Sequence, residues 1–474
     1  MTVGGVEIFQ RLLPLPTNEP AYLALAHAIR VLVMDGRLAL GSRLPSERTL
    51  ALALGLSRTT ITATYRELVE TGWASARQGS GTTVRMPVRD RAPSIPLVPG
   101  VTTGAIDLSA AAGLAPVGTD DVVRRALEWL PRSLGGAGYE PLGATHLRER
   151  IAAWFDARGV PTDPGQVIVT PGALAALSVV LHAVVKPGAR VAVDSPTYPG
   201  ALGVADVVHA RLVSVPLQED GWDVDAWAET LRRAQPAAAY LIPDFHNPSG
   251  ALMETHARER LAAQLRRAGT IPVIDETLVS LDLEGGAMPT PWAALDDRAI
   301  TVGSLSKVLW GGFRIGWIRC PSAMVEALRH QHLQLSLGAS ALDQLVATTY
   351  LDDPSRILTS VLARMRSARE AWLDELDWEL PDWRATSPRG GLSLWVDLPR
   401  PKSAELALAG AAHGLVLVPG TRFSGDRTGA RRLRLPLTLP PEVIPEAVRR
   451  LAAAWDDALA GTRSGTDAGD ILAL

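Results

Sequence analysis

Two folded units, a small helical one followed by a large α/β one, are what this sequence predicts, on three observations. Between Met86 and Gly104 the chain reads MPVRDRAPSIPLVPGVTTG, with Pro87, Pro93, Pro96 and Pro99 spaced too closely for a helix or a central strand. Beyond that stretch, apolar β-branched runs alternate with helical segments, the pattern of a mostly parallel sheet covered by helices. Before it, apolar residues recur at helical spacing in short segments punctuated by glycine. At 474 residues, 47% of them hydrophobic, the chain exceeds what one core usually supports and can fill two.

The expected domain limits follow: a first unit over 1–85, a linker over 86–104, a large unit over 105–460 and a tail over 461–474 with a flexible GTRSGTDAGD stretch. Extended, the linker spans roughly 60 Å at about 3.1 Å per residue. In the first unit, Tyr22 to Asp35 has helical spacing and Gly36 as its stop. A second helix starts around Pro45-Ser46 and ends at Gly55. Only Leu56 separates Gly55 from Ser57, an N-cap for a third helix through Arg58, Thr59, Thr60, Thr62, Tyr65 and Arg66. Two helices joined so tightly suggest helix-turn-helix, in which Arg58 reaches a guanine edge and the threonines reach bases or phosphates in the major groove. WASARQGSGTTVR then forms two extended segments around Gln78-Gly79-Ser80-Gly81, a hairpin placed as a wing. On helical pattern alone, a docking or dimerisation module is an equal alternative.

Charge narrows the classes. The formal net charge is −3, which excludes a globally polybasic nucleic-acid coat, while residues 1–84 hold eight arginines against six acids, a balance of +2. Cys320 is the single cysteine, so a disulfide framework and a cysteine-based zinc site are excluded, and a reducing interior fits. No apolar run reaches about 18 residues, so neither membrane spanning nor secretion is supported and a cytoplasmic location is expected.

Of the 47 basic residues, only Lys186, Lys307 and Lys402 are lysines. Lys186, in VVKPGAR, sits in a turn after a helix, and Lys402, in LPRPKSAE, in a surface loop. Lys307 differs: Ile300-Thr301-Val302 reads as a strand, Gly303-Ser304-Leu305-Ser306 as a turn with hydroxyls, and Arg314 follows seven residues later. An amine that condenses with an aldehyde must be unprotonated, and burial or a nearby cation such as Arg314 achieves that. If the aldehyde is pyridoxal phosphate, its ring nitrogen needs a buried carboxylate. Asp275, ending the apolar run Ile271-Pro272-Val273-Ile274, is placed for that role, and its burial calls for a cationic partner.

Residues 36–84 closely resemble the winged helix-turn-helix of the GntR family of bacterial transcription regulators. Carried over residue by residue, the DNA-contacting arginines fall on Arg48 and Arg58, with Arg43, Ser46, Thr59 and Thr60 as helpers and Gly81 and Thr82 in the wing. From about Ile106 to Trp455 the chain resembles fold-type I aminotransferases, with motifs in the family order. The resemblance implies a large pyridoxal 5'-phosphate (PLP) domain with a smaller C-terminal α+β subdomain. GYEPLGATHLRERIA holds Tyr139, whose family counterpart reaches the cofactor phosphate of the opposite subunit. TPGALAAL matches the phosphate loop, putting the amides of Ala173 and Leu174 on phosphate at a helix N-terminus. DSPTYPG supplies Tyr198 for stacking on the ring, PDFHNPSG supplies Asn247 for its phenolic oxygen, and VIDET supplies Asp275. GSLSKVLWGGFRIGW supplies Ser304, Lys307 and Arg314; LVPGTRF and RLRLPLT are late motifs in which Arg434 receives a substrate carboxylate. One departure stands out. The family commonly places a tyrosine two or three residues after the aspartate, where this chain has Thr277 and Leu278, which weakens the case for efficient transamination.

A GntR-type reader joined to an aminotransferase-like domain is the architecture of the MocR subfamily. That resemblance implies a homodimeric, PLP-dependent regulator that binds double-stranded promoter DNA and senses PLP, in some members with an amino acid or amine. The alternative is a working PLP-dependent aminotransferase with an accessory N-terminal docking domain.

Overall fold

The computed structural model describes residues 6–15, 20–35, 37–77, 81–85, 104–219, 221–424 and 427–460. Gly36, the wing tip 78–80, linker residues 86–103 and the tail 461–474 lie outside them.

In the first unit the helices fall where capping chemistry puts them. A helix over Ala21–Met34 buries Leu25, Ile29, Leu32 and Val33. The next, Glu47–Leu54, is capped by the Ser46 hydroxyl, which accepts from the Thr49 amide at 3.1 Å, and ends at Gly55 with φ +64°, a left-handed conformation that favours glycine. The third, Arg58–Glu70, is capped by Ser57, which accepts from the Thr60 amide at 3.0 Å. The three-residue turn between them makes the helix-turn-helix. Strands β1 (Ala74–Arg77) and β2 (Gly81–Val84) pair antiparallel as the wing, and Arg43 bridges to Thr83 on its outer edge.

A short strand β3 (Ile106–Asp107) leads into the large unit. There β4 (Val167–Thr170), β5 (Arg190–Ser195), β6 (Arg211–Gln218), β7 (Gly221–Trp222), β8 (Ala238–Leu241), β9 (Ile271–Asp275), β10 (Ile300–Ser304) and β11 (Gly316–Arg319) form one sheet in the order β4-β11-β10-β9-β8-β5-β6-β7. The five strands from β10 to β6 are parallel; β11 runs antiparallel to both neighbours and β7 antiparallel to β6. The apolar runs are continuous because both faces are covered. Val167, Val169, Ala192, Ala239 and Ile274 join one core, and Ile168, Val191, Val193, Ala238, Tyr240 and Val273 the other, following the two-residue alternation of a strand.

The C-terminal part holds a three-stranded antiparallel sheet of β12 (Arg384–Ala385), β13 (Ser393–Asp397) and β15 (Arg432–Pro436), backed by helices Ser355–Glu379, Ser403–Ala412 and Ile444–Ala460. Strand β14 (Leu415–Val416) pairs parallel with β3, which ties residues 106–112 to this subdomain. The first unit docks on the same region. Helix Ala21–Met34 packs on Ser403–Ala412, and Asp35 accepts the Thr421 hydroxyl at 3.0 Å. No helix among the described residues is long and apolar enough to cross a membrane.

Candidate cofactor cavity and DNA-reading surface

In a parallel sheet the loops after the strands gather at one end, and ligands bind in that crevice. Here β4, β5, β8, β9 and β10 deliver Gly172, Tyr198, Asn247, Asp275 and Lys307 to it. Because β11 runs the other way, its start lies at the same end, so Arg314 arrives there too. Tyr198, Asn247, Asp275, Lys307 and Arg314, together with Arg434 of β15, line a cavity of about 590 Å³.

At one end, Gly172 has φ +90°, and a side-chain carbon there would lie 2.5 Å from the Arg314 guanidinium. Gly316 is equally constrained, since a Cβ would come within 2.5 Å of the Gly172 carbonyl carbon. Only glycines let these two backbones and Arg314 close into this cradle. Helix Ala173–Val184 starts beside it without a side-chain cap, so the amides of Ala173 and Leu174 are free to meet an anion on the positive end of the dipole.

Asp275 ends β9 and is 6% exposed. Its Oδ2 accepts from the Tyr240 phenol at 2.6 Å and its Oδ1 from the Thr277 amide at 2.9 Å. The cationic partner expected from sequence is therefore replaced by two neutral donors. β8 lies next to β9 and places a phenol within reach, while Lys307 acts on Asp275 only through its field. Burial pushes the carboxyl up, and Thr277, Tyr240 and Lys307 pull it back. Asn247 holds a buried Oδ1 without a partner, an acceptor left for a ligand. Gly200 makes room for the Tyr198 ring, which a Cβ would approach to 2.5 Å.

The Lys307 amine donates to the Ala111 carbonyl at 3.1 Å. Burial, then the charges of Arg434 and Arg314, lower its pKa to about 8, against the opposing pull of Asp275. Burial is thus the main cause, and Arg434 contributes ahead of the Arg314 expected from sequence. Arg434 is 7% exposed, donates to the Ser109 carbonyl and stands 5.0 Å from the Phe423 ring centroid. Its Nε has no partner, and burial lowers its pKa to about 10. Segment 109–111 therefore holds both cationic groups by its carbonyls, a role that sequence reasoning missed because a backbone carbonyl leaves no side-chain signal.

Two expected site residues stand elsewhere. The Ser304 hydroxyl donates to the Ile315 carbonyl, meets the Ser306 hydroxyl and accepts from the Ser306 amide, so the turn occupies it; Ser306 lines the cavity instead. Tyr139 lies outside the cavity and is 67% exposed. Lys186 is exposed in its turn as expected, whereas Lys402 donates to the Ala458 carbonyl at 2.6 Å and anchors a helix end rather than waving in a loop. Leu278 is buried and lines the cavity, offering no hydrogen bond where the family commonly has a tyrosine.

On the first unit, Arg43, Arg48, Arg58 and Thr59 are exposed. Arg58 keeps 75% of its side chain in solvent, 3.6 Å from Glu47. Thr59 and Thr60 hydroxyls each meet the Ser57 hydroxyl at 2.7 Å. Ser46 is likewise engaged in its cap, so these three polar groups order the turn as well as facing outward. A Cβ on Gly81 would lie 2.6 Å from Arg43 Nε, which fixes that arginine against the wing.

The donor set fits PLP: a glycine-lined cradle beside an arginine, a buried carboxylate, an orphaned amide oxygen and a deprotonatable amine. The family model for "Aminotransferase class I and II" matches residues 111–451, and that for "Bacterial regulatory proteins, gntR family" matches residues 21–84. The HTH-type transcriptional regulator YdcR of Escherichia coli is 29% identical, covering 87% of this chain and 94% of its own. The HTH-type pyridoxine biosynthesis transcriptional regulator PdxR of Corynebacterium glutamicum is 27% identical over 88% of this chain and 90% of its own. Among solved structures, LysN, the α-aminoadipate aminotransferase of Thermus thermophilus, complexed with N-(5'-phosphopyridoxyl)-L-leucine, superimposes with a TM-score of 0.70 at 30% identity, over 76% of this chain and 94% of its own. The chain belongs to the class I and II aminotransferase family, whose cofactor is PLP, and carries a gntR-family DNA-binding domain in front, the MocR architecture of transcription regulators.

Proposed function

We propose that PLP, held at Lys307 and joined by an amino acid or amine effector, sets how this regulator binds promoter DNA. The observation that carries the proposal is the Asp35–Thr421 hydrogen bond, because Thr421 lies beside Arg422 and Phe423 on the cavity wall. An occupant that shifts this wall shifts the footing of the reader and thereby the population of DNA-competent molecules.

The domain limits are those expected above: reader 1–85, linker 86–104, cofactor domain 105–460 and tail 461–474. Bound PLP supplies an aldehyde carbon for primary amines and a ring that accepts electrons. Lys307 contributes an amine that gives up its proton closer to neutral pH than an ordinary lysine does. Arg314, Ala173 and Leu174 hold the phosphate, Asn247 the phenolic oxygen, Asp275 the ring nitrogen and Tyr198 the ring face. Arg434 grips a carboxylate of the effector. Ser304 acts by shaping the turn that presents Lys307. The exposed Tyr139 serves the partner's site in a homodimer, which offers two readers to two half-sites, and the long linker allows direct repeats as well as palindromes. Arg48 and Arg58 contact DNA, helped by Arg43, Ser46, Thr59 and Thr60, with Gly81 and Thr82 in the wing.

Promoter titrations with and without PLP test this reading: affinity or footprint changes with the cofactor, and identical curves reject it. A second reading, a working aminotransferase, is favoured by the buried Arg434 clamp. Single-turnover spectra with a panel of amino acids separate the two. Fast conversion to pyridoxamine phosphate supports the enzyme; slow conversion fits Leu278 in place of the tyrosine and supports the sensor.

A further inference from the structure

From the wall that the cofactor does not use, we infer that the effector is an α-amino acid with an apolar side chain, recognised jointly by the reader and the large domain. The inference rests on the reading of the cavity as a PLP and amino-acid site. With the amino group directed to the reactive centre near Lys307 and the carboxylate to Arg434, the third substituent on Cα must meet what remains of the lining. That remainder includes Val33, Met34 and Leu40 of the reader, together with Ala111, Val416 and Val418. Val33 and Met34 are almost fully buried, whereas Leu40 is 57% exposed, an apolar surface still available on the cavity wall.

Charge sharpens the class. Among the described residues, the ionisable ones lining the cavity are Tyr198, Asp275, Lys307, Arg314, Arg422 and Arg434. Asp275 is the sole acid among them and is committed to Tyr240 and Thr277, so a basic side chain finds no counter-charge and its desolvation goes uncompensated. For an acidic side chain the remaining cation is Arg422. That residue is exposed and also lines the adjoining cleft, so its side chain is open to solvent and its field on the chamber is screened. An apolar side chain meets matching surface. It also touches both domains at once, so the effector's side chain, as distinct from its amino and carboxylate groups, bears on reader docking.

The test uses the full-length protein loaded with PLP and follows the visible spectrum of the bound cofactor during titration with L-alanine, L-leucine, L-glutamate and L-lysine. Leucine is expected to bind on the order of ten- to fiftyfold tighter than alanine, from three further buried carbons, with glutamate and lysine weaker than leucine. L40A, at an exposed position that folding tolerates, and M34A narrow the leucine-to-alanine ratio. L52A, on an exposed reader face outside the cavity, leaves it unchanged. Leucine but not alanine slows amide exchange across residues 21–34. Equal affinity for alanine and leucine, an unchanged ratio in both L40A and M34A, or preferred glutamate that loses its advantage in R422A overturns the inference. If no lysine-linked cofactor band forms before any amino acid is added, the underlying PLP reading fails instead, and with it this one.

Discussion

Arg58 stands at the head of the recognition helix with 75% of its side chain in solvent, whereas Arg434 is 7% exposed and bound to the Ser109 carbonyl. In the proposed reading the same side chain serves two recognition tasks under opposite conditions. At the reader surface, DNA supplies the counter-charge and the arginine must stay free to reach it, so its field is screened by salt. Inside the cavity, Arg434 is buried and a cation without a paired acid is costly, which raises its attraction for a carboxylate. The reader is therefore built from local capping geometry that leaves side chains outward. The cavity is built from residues far apart in the chain that hold one another in place.

The sharpest way to break this contrast is Lys307→Ala, expected to abolish covalent capture of PLP. Borohydride reduction and peptide mapping check it, and a label on Lys186 or Lys402 in the wild-type protein would sink the assignment. Capture should also depend on pH. Since Lys307 is lowered from 10.5 to about 8, capture rises as pH passes through about 8. The same shift makes the unfolded apo-protein bind more protons between about 8 and 10.5, so apo-protein stability rises with pH across that window; below it the penalty on the folded state is fully present.

Arg434→Ala comes next. Loss of a charged hydrogen-bonding partner costs about 1.5–3 kcal/mol, roughly ten- to hundredfold in affinity for carboxylate-bearing amino acids. Simple amines without a carboxylate are spared, and titration of both ligand classes separates the effects. In the same variant the Lys307 midpoint moves up, because a neighbouring positive charge is gone.

On the reader side, Arg58→Ala is expected to lower discrimination at one base pair by about 1–3 kcal/mol. Binding to specific and random DNA, each measured over a range of salt, decides the point, since equal losses on both reduce Arg58 to a phosphate contact. The smallest effect is Ser57→Ala, which removes the cap on the Thr60 amide for about 1 kcal/mol. Faster amide exchange confined to the start of Arg58–Glu70 would register it; exchange unchanged there would mean that the threonine hydroxyls hold the turn alone.

Much of the fold was legible because its signals are short-range. Ser46 and Ser57 announce their helices by a hydroxyl three residues before the amide each accepts from, and Gly55 marks its stop by tolerance of positive φ. The expected runs Ile271-Pro272-Val273-Ile274 and Ile300-Thr301-Val302 both stand in the sheet, as β9 and β10. The antiparallel β11 went unread because its four residues are buried on both faces and its direction depends on which neighbours it joins. Tyr240 left only a faint signal, a lone phenol in the small apolar run Ala238–Leu241.

By itself, the sequence determined the two-unit division, the capped helix-turn-helix, the order of strand-end motifs and Lys307 as the candidate reactive amine among three lysines. Tertiary structure alone decided that Tyr240 donates to Asp275, that Ser306 rather than Ser304 meets the cavity, and that Val33, Met34 and Leu40 of the reader share a wall with the cofactor site. The physical reason is range. A cap or a strand period is set by residues within a few positions, whereas Ala111 meets Lys307 across 196 residues and Ser109 meets Arg434 across 325. Those contacts are selected by packing the whole chain, and no local pattern carries them.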